Sequence, residues 1–459
     1  MIFSSITFIY YFLPLLLIVY FIVPSKYKNL ILLLFSLLFY FLGEPKYIVI
    51  LLLSCFINYY LSKLMDRAKY RKLILIIAII YNVGQLLIFK YTDFFIENIN
   101  GIFNLNFSYM YIVMPIGISF FTFKALGYII DVYNKKHKAA SSIINFMTYI
   151  CLFPQLVAGP IVRYSDVERD LKDRTHNFDK FSMGIKRFVI GLSKKVLLAN
   201  VLGELIKSLT TDTILSSWLR PISFTLQIYF DFSGYSDMAI GLGLMFGFKF
   251  LENFNYPLIA STITDFWRRW HMSLSSWFRD YVYIPLGGNR VSKIKWIRNI
   301  FIVWFLTGFW HGASWNFIIW GLYFGVILVI EKFVLKKYLD KTKVLKYIYS
   351  LIIIVISFLI FNANNLNEIG ISLKNMFFIN DIPFIDKVTL YYFKSYFVLL
   401  IVAIISATPL FKVLINKINN TKFKRFINVI EPIIYILLLT LCTAFLIDES
   451  FNPFLYFRF

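Results

Sequence analysis

Apolar and polar positions alternate along this chain in long blocks. Apolar runs cover 6–23, 29–43, 46–62, 73–92 and 111–133, lengths near the roughly 20 residues that a helix needs to cross about 30 Å of hydrocarbon. Each run is expected to be a membrane span. The connectors support that reading, because Lys and Arg in short loops stay on the cytoplasmic side. "PSKYKN" (24–29) is basic, "GEPK" (43–46) is nearly neutral and "KLMDRAKYRK" (63–72) is strongly basic; "DFFIENINGIFNLNFSY" (93–109) has neither Lys nor Arg, and "NKKHK" (134–138) is basic again. The alternation predicts five spans with the N-terminus outside.

The block 143–162 carries Pro154 and the pair Gly159-Pro160, which interrupt helical hydrogen bonding, so a broken, re-entrant or interfacial segment is expected. Spans follow near 187–207 and 218–247. The stretch 249–298 holds eight basic residues against Glu252, Asp265 and Asp280 and is expected in the cytoplasm. Residues 299–330 are nearly uncharged and the next connector, "EKFVLKKYLDKTKVLK" (331–346), is basic. Both ends of that block therefore fall inside, which makes it a hairpin with its turn in the small-residue cluster Gly308–Ser314. Helical rise of about 1.5 Å per residue places His311 roughly 21 Å beyond Ile297, within the membrane. Further spans are expected near 344–362, 391–411 and 430–447, leaving "DESFNPFLYFRF" outside.

Composition agrees with this layout. Hydrophobic residues make up 59% of the 459 and charged residues 16%, against about a quarter charged in soluble domains. One all-α polytopic membrane domain over 1–459 is the simplest organisation. The net charge of +22 resides in the connectors rather than on one helix face, which speaks for topology and against nucleic acid. The first apolar block lacks a preceding basic residue and a following small-residue cleavage site, so it is expected to remain as a span. Cys55, Cys151 and Cys442 are far apart in apolar surroundings, with no metal-ligand spacing; they read as core residues, and no metal site is expected.

An ionisable residue within a span is costly and usually faces a bundle interior or a water-filled cavity. His311 in "TGFWHGASWN" (307–316) meets that description. His271 lies in "DFWRRWHMSLSSWFRDYVYIPLGGNR" (265–290), a cytoplasmic stretch so aromatic that it is expected to fold back against the membrane domain. A purely structural role for either histidine is the competing reading. His137 and His176 fall in charged connectors and read as solvated. Asp231 and Asp237, in "YFDFSGYSDMAIGLG" (229–243), read as structural, with Arg268, Arg269 or Arg279 as partners. Lys124 is expected to pair with Asp131 or snorkel. Trp310 and Trp315 are expected to wall the His311 site, with Asn316 beside them.

A lone deep histidine without cysteine, metal or phosphate-loop partners suits general-base chemistry on a hydroxyl or thiol. No G-x-S-x-G elbow is present, which argues against a serine acyl-enzyme. Together with "FPQLVAGPIVRY" (153–164), "NFNYPLIASTITDFWRRWHMSLSSWFRDYVYIPLGGNR" (253–290), "GFWHGASWNFIIWGLYFG" (308–325) and "NPFLYFRF" (452–459), these stretches resemble the membrane-bound O-acyltransferases, in their bacterial alginate and peptidoglycan O-acetyltransferase branch. The resemblance is clearest over 115–330. It implies a ring of about 11–12 transmembrane helices with re-entrant segments, around a cytoplasmic tunnel that meets an extracytoplasmic funnel. It implies catalytic roles for His311 and His271, with acetyl-CoA as the donor substrate and no tightly bound cofactor. It further implies a place in the bacterial cytoplasmic membrane, an extracytoplasmic SGNH-type partner protein, and a surface polysaccharide or peptidoglycan as final acceptor. D-alanyl transfer to teichoic acid, a transporter or flippase, and a non-catalytic scaffold are the alternatives.

Overall fold

The apolar runs form helices, and every regular element in the computed structural model, which describes residues 1–419 and 424–448, is helical. Among the described residues, six helices are long and apolar enough to cross a membrane: Ser25–Gly43, Pro45–Arg67, Arg71–Phe103, Trp315–Leu339, Leu345–Asn362 and Ile427–Asp448. The pair Lys387–Ser395 and Phe397–Ser406, bent by 53°, makes a seventh if taken as one span. The chain is a multi-pass membrane protein. The described residues sort into two compact units, Met1–Phe188 with Ser236–Glu252, and Val189–Tyr235 with the residues from Asn253 onward. The helices Phe178–Ser193 and Ile214–Met245 contribute to both.

In the first unit, Ile118–Tyr133 packs against both Ile48–Arg67 and Arg71–Phe103. It is buried on nearly every face, as a helix that is apolar all round must be. It begins at Ile118, not near 111, and the preceding helix runs 33 residues to Phe103. The stretch 93–109, expected as a loop, is thus helical in its first part. Its polar residues continue the helix because Asn98 donates to the Phe94 carbonyl (2.7 Å), and the helix stops only at Asn104, which takes the left-handed conformation (φ 51°). Asn58 and Asn82 exchange side-chain hydrogen bonds (2.7 and 3.2 Å) between the two neighbouring helices. The block 143–162 is broken as expected, into Ile143–Cys151 and Phe153–Leu156. Cys55 and Cys151, distant in sequence, meet in this core with sulfurs 3.5 Å apart. Lys124 is fully buried, but its ammonium turns to Gln155 Oε1 (3.4 Å) and the Tyr149 ring; Asp131 is taken by Lys136 (2.8 Å).

In the second unit the hairpin is present. Lys293–His311 and Trp315–Ile330 pack along each other, joined at Gly312–Ser314. The first helix starts earlier than the apolar boundary, so His311 closes a helix of 19 residues. The two backbones touch at Gly308 and Gly321: a Cβ on Gly321 would run into the Trp304 carbonyl and the Gly308 backbone. Small residues at such a crossing replace side-chain packing with close backbone approach, the usual means of helix association in lipid. Trp315–Ile330 also packs on Leu345–Asn362. The terminal "NPFLYFRF" and the side assigned to the C-terminus lie outside the described residues.

Gly321→Val should force the hairpin helices apart and destabilise the protein by about 1–3 kcal/mol, the range for overpacked cores. The purified variant is expected to unfold at lower temperature than wild type in the same detergent, and an unchanged transition would show that this crossing is not tight.

Candidate functional site

Everything at the hairpin tip follows from where the first helix ends. His311 is its last residue, and the chain leaves through Gly312 in an extended conformation that avoids left-handed strain (φ −171°). A Cβ at Gly312 would collide with the Phe317 ring, so the turn has no room for another side chain. The His311 imidazole is 5% exposed. Aromatic rings meet it edge-on or nearly so, among them Trp310 at 4.7 Å, Trp320 at 4.8 Å and Phe361 at 5.2 Å between centroids. The expected wall therefore includes Trp310, while Trp320 and Phe361 are additions that no spacing along the chain pointed to. Trp320 lies about one and a half turns into the returning helix, and its buried indole Nε1 has no hydrogen-bond partner among the described residues, leaving a donor open to a ligand oxygen. Trp315 is 52% exposed. Asn316 is buried and donates through Nδ2 to the carbonyls of Ala363 (2.8 Å) and Phe361 (3.3 Å), which fixes the returning helix against the end of Leu345–Asn362.

His271 belongs to the same unit. The aromatic stretch around it folds back as expected, with Phe266 and Trp270 joining Trp304, Trp320, Phe324 and Phe358 in one core. The loop is short helices, Ile263–Trp267 and Met272–Phe278, and His271 sits between them in the left-handed conformation (φ 43°). That strained position is fixed from one side by Asn253. Asn253 Oδ1 lies 3.1 Å from His271 Nδ1 and accepts from the Ser273 amide (3.2 Å) and hydroxyl (2.9 Å), while its backbone carbonyl accepts from the Met272 amide (2.9 Å). Because Asn253 Oδ1 is an acceptor, it sets the tautomer with the proton on Nδ1. Burial pushes the His271 imidazole down to about 3, so the ring is neutral at cellular pH. Phe232 stands edge-on to it (4.6 Å), and Trp310 is 6.3 Å away. Trp310 thus lies beside both histidines and brings the two motifs together.

One residue of the basic connector 331–346 has a different place from the one its neighbours suggest. Glu331 is buried, and its carboxylate accepts from the backbone amides of Ile263 (2.7 Å) and Thr264 (3.0 Å), the Thr264 hydroxyl (2.5 Å) and the Tyr349 hydroxyl (3.4 Å). A carboxylate on the first amides of a helix satisfies groups that the helix itself leaves open. Glu331 therefore ties the start of the His271 loop to the far end of the returning hairpin helix.

The acids of "YFDFSGYSDMAIGLG" are paired, but with partners that differ from those expected. In the second unit Asp231 pairs with Lys195 at 2.7 Å, both side chains almost wholly buried. In the first, Asp237 pairs with Arg187 at 2.6 Å, and Arg187 also holds Glu252. Arg269 and Arg279 are engaged by their sequence neighbours Asp265 and Asp280 (2.9 and 2.7 Å), and Arg268 is exposed. A local acid reaches an arginine at lower entropic cost than a distant one. Of the connector histidines, His176 is exposed but shares a hydrogen bond with the Tyr20 hydroxyl (2.8 Å); desolvation, with Lys28 and Arg174 nearby, lowers it to about 4.

Comparison with known proteins gives one consistent picture. The sequence model described as MBOAT, membrane-bound O-acyltransferase family, matches residues 134–370. A probable alginate O-acetylase of Azotobacter vinelandii is 40% identical, with 80% of this chain and 76% of that protein aligned. The peptidoglycan O-acetyltransferase of Helicobacter pylori is 35% identical over 83% of this chain and 81% of its own length. The teichoic acid D-alanyltransferase of Bacillus subtilis is 33% identical, over 48% of this chain and 59% of its own length.

Removing one partner of a buried ion pair strands the other charge, at a cost of about 3–5 kcal/mol, whereas replacing both with apolar groups is often neutral. Asp231→Ala should therefore lose most of its folded protein in detergent, and Lys195→Met with Asp231→Leu should regain it, as read by monodisperse yield and thermal unfolding. Equal damage in both would mean that the charges themselves are needed.

Proposed function

The chain belongs to the membrane-bound O-acyltransferase family and is an O-acyltransferase, and on that premise we propose that it passes an acetyl group from a cytoplasmic thioester, acetyl-CoA, toward a cell-surface glycan. The observation that carries this reading is the His311 imidazole, boxed by Trp310, Trp320 and Phe361 at the tip of a membrane hairpin.

In this reading His311 is the general base. The imidazole takes the proton of the acceptor hydroxyl as its oxygen attacks the thioester carbonyl carbon. The carbon–sulfur bond then breaks, and the departing thiolate recovers the proton from the imidazolium, so ester and free thiol are formed without net proton change. The transient positive charge stands at the C-terminal end of Lys293–His311, where the helix dipole favours a cation. The aromatic box supports the chemistry in a second way, since excluding water keeps the thioester from hydrolysis and strengthens electrostatic interactions at the reacting atoms. His271, neutral and fixed by Asn253, stands beside Trp310, which in turn contacts His311.

Acetyl is favoured over D-alanyl because the alginate and peptidoglycan O-acetylating relatives align over 80% and 83% of the chain, against 48% for the D-alanyltransferase. The acceptor that first receives the acetyl group is proposed to be an extracytoplasmic protein of SGNH-esterase type, which delivers it to polysaccharide or peptidoglycan.

Membranes containing the wild-type protein, supplied with radiolabelled acetyl-CoA, are expected to transfer label to protein or glycan acceptors. His311→Ala should lower transfer at least 1,000-fold at unchanged protein level, on the order of the effect of losing a catalytic base. Full activity in that variant would remove His311 from the reaction; label accepted only from a D-alanyl carrier protein would replace acetyl with D-alanyl.

A further inference from the structure

Away from the histidines, in the first unit, three helix ends meet: Ile48–Arg67 finishes, Arg71–Phe103 begins and Ile118–Tyr133 finishes. Between them is a cavity of about 530 Å³, lined by Lys69, Tyr70, Arg71, Lys72, Tyr133 and Lys135. Its size falls in the range of about 300–1,000 Å³ typical of small-molecule sites. We propose that this cavity binds the phosphate of an anionic phospholipid, with the acyl chains lying along the helix that begins at Arg71.

Charge is the first argument. Four cationic side chains line the cavity and no acid does. The acids nearest in sequence are engaged elsewhere: Asp66 accepts from the Ala139 amide (2.7 Å) and Asp131 pairs with Lys136 (2.8 Å). The cavity therefore keeps its positive charge. Part of it is also preorganised. Arg71 donates to the carbonyls of Val132 (2.7 Å) and Tyr133 (3.1 Å), so its guanidinium is held across the end of Ile118–Tyr133 without a ligand. Lys69, Lys72 and Lys135 are exposed and free to close on an anion.

Surface pattern is the second argument, and it separates a lipid from a soluble phosphate. Directly below the cavity, Leu73, Ile76, Ile77 and Ile80 are all exposed on Arg71–Phe103. Their i, i+3, i+4, i+7 spacing makes one continuous apolar stripe on a helix. A basic cavity at the head of a lipid-facing stripe matches a molecule with an anionic head and apolar tails. Tyr70 and Tyr133 stand at the same level, where aromatic side chains anchor a protein to the headgroup region. Basic clusters beside spans recognise anionic headgroups in this way. The connectors 63–72 and 134–138 are those whose charge marks the cytoplasmic face.

The test uses the full-length protein purified in neutral detergent, with Lys69→Gln, Lys72→Gln and Lys135→Gln combined; Arg71 is left in place because it joins two helices. Thermal unfolding is followed with added phosphatidylglycerol, phosphatidylcholine, inorganic phosphate or coenzyme A. Phosphatidylglycerol is expected to raise the wild-type transition by several degrees, phosphatidylcholine and the soluble phosphates not to do so, and the triple variant to lose the shift while its lipid-free transition and acyl transfer stay at wild-type level. The same phosphatidylglycerol shift in the triple variant would overturn the proposal. So would an equal wild-type shift with inorganic phosphate or coenzyme A, which would make the cavity a site for soluble phosphates.

Discussion

A polar group buried away from water must find its partner within the protein. In the second unit that constraint decides the architecture around the histidines. Glu331 is the clearest case: its carboxylate accepts from two backbone amides and two hydroxyls, and these donors come from the loop that leads to His271 and from Leu345–Asn362. The same demand ties His271 and Ser273 to one oxygen of Asn253, and Asp231 to Lys195. None of these contacts is an isolated surface pair; each joins two segments of the chain.

The aromatic residues complete what the polar contacts begin. Phe266, Trp270, Trp304, Trp320, Phe324, Phe358 and Phe361 form one core, with contributions from the loop, both hairpin helices and Leu345–Asn362. Edge-to-face rings pack with defined geometry, so this core fixes the orientation of Trp320 against His311. The glycines at 308 and 321 bring the hairpin backbones together, which leaves the space at the tip to the histidine and its rings. An imidazole held this way is preorganised, as the general-base role proposed for His311 requires.

Much of this was legible in the chain. The uncharged run 299–330 between two basic connectors defined the hairpin, and the small residues at 308–314 located its turn, because span length and loop charge are one-dimensional properties. The crowding of aromatic residues in 265–290 signalled a buried loop for the same reason. Partner choice was not legible. Asp231 lies 36 positions from Lys195, and Arg268 and Arg269 looked equally suitable until the fold placed them beside other groups or in the open. Glu331 looked like one more charge in a basic connector, and only its burial distinguishes it from Lys332. The helical continuation to Phe103 was hidden because asparagine and acidic residues read as loop, although Asn98 donates to a carbonyl of its own helix.

The claim on which the account rests is that the His271 loop and the His311 hairpin act as one site because Glu331 holds them in register. Steady-state acetyl transfer by purified Glu331→Ala measures this directly. The account predicts a fall in kcat of about 10–100-fold, the scale on which small displacements of catalytic groups act, with KM for acetyl-CoA within a factor of about three and the protein still monodisperse. A folded Glu331→Ala protein with wild-type kcat would contradict it.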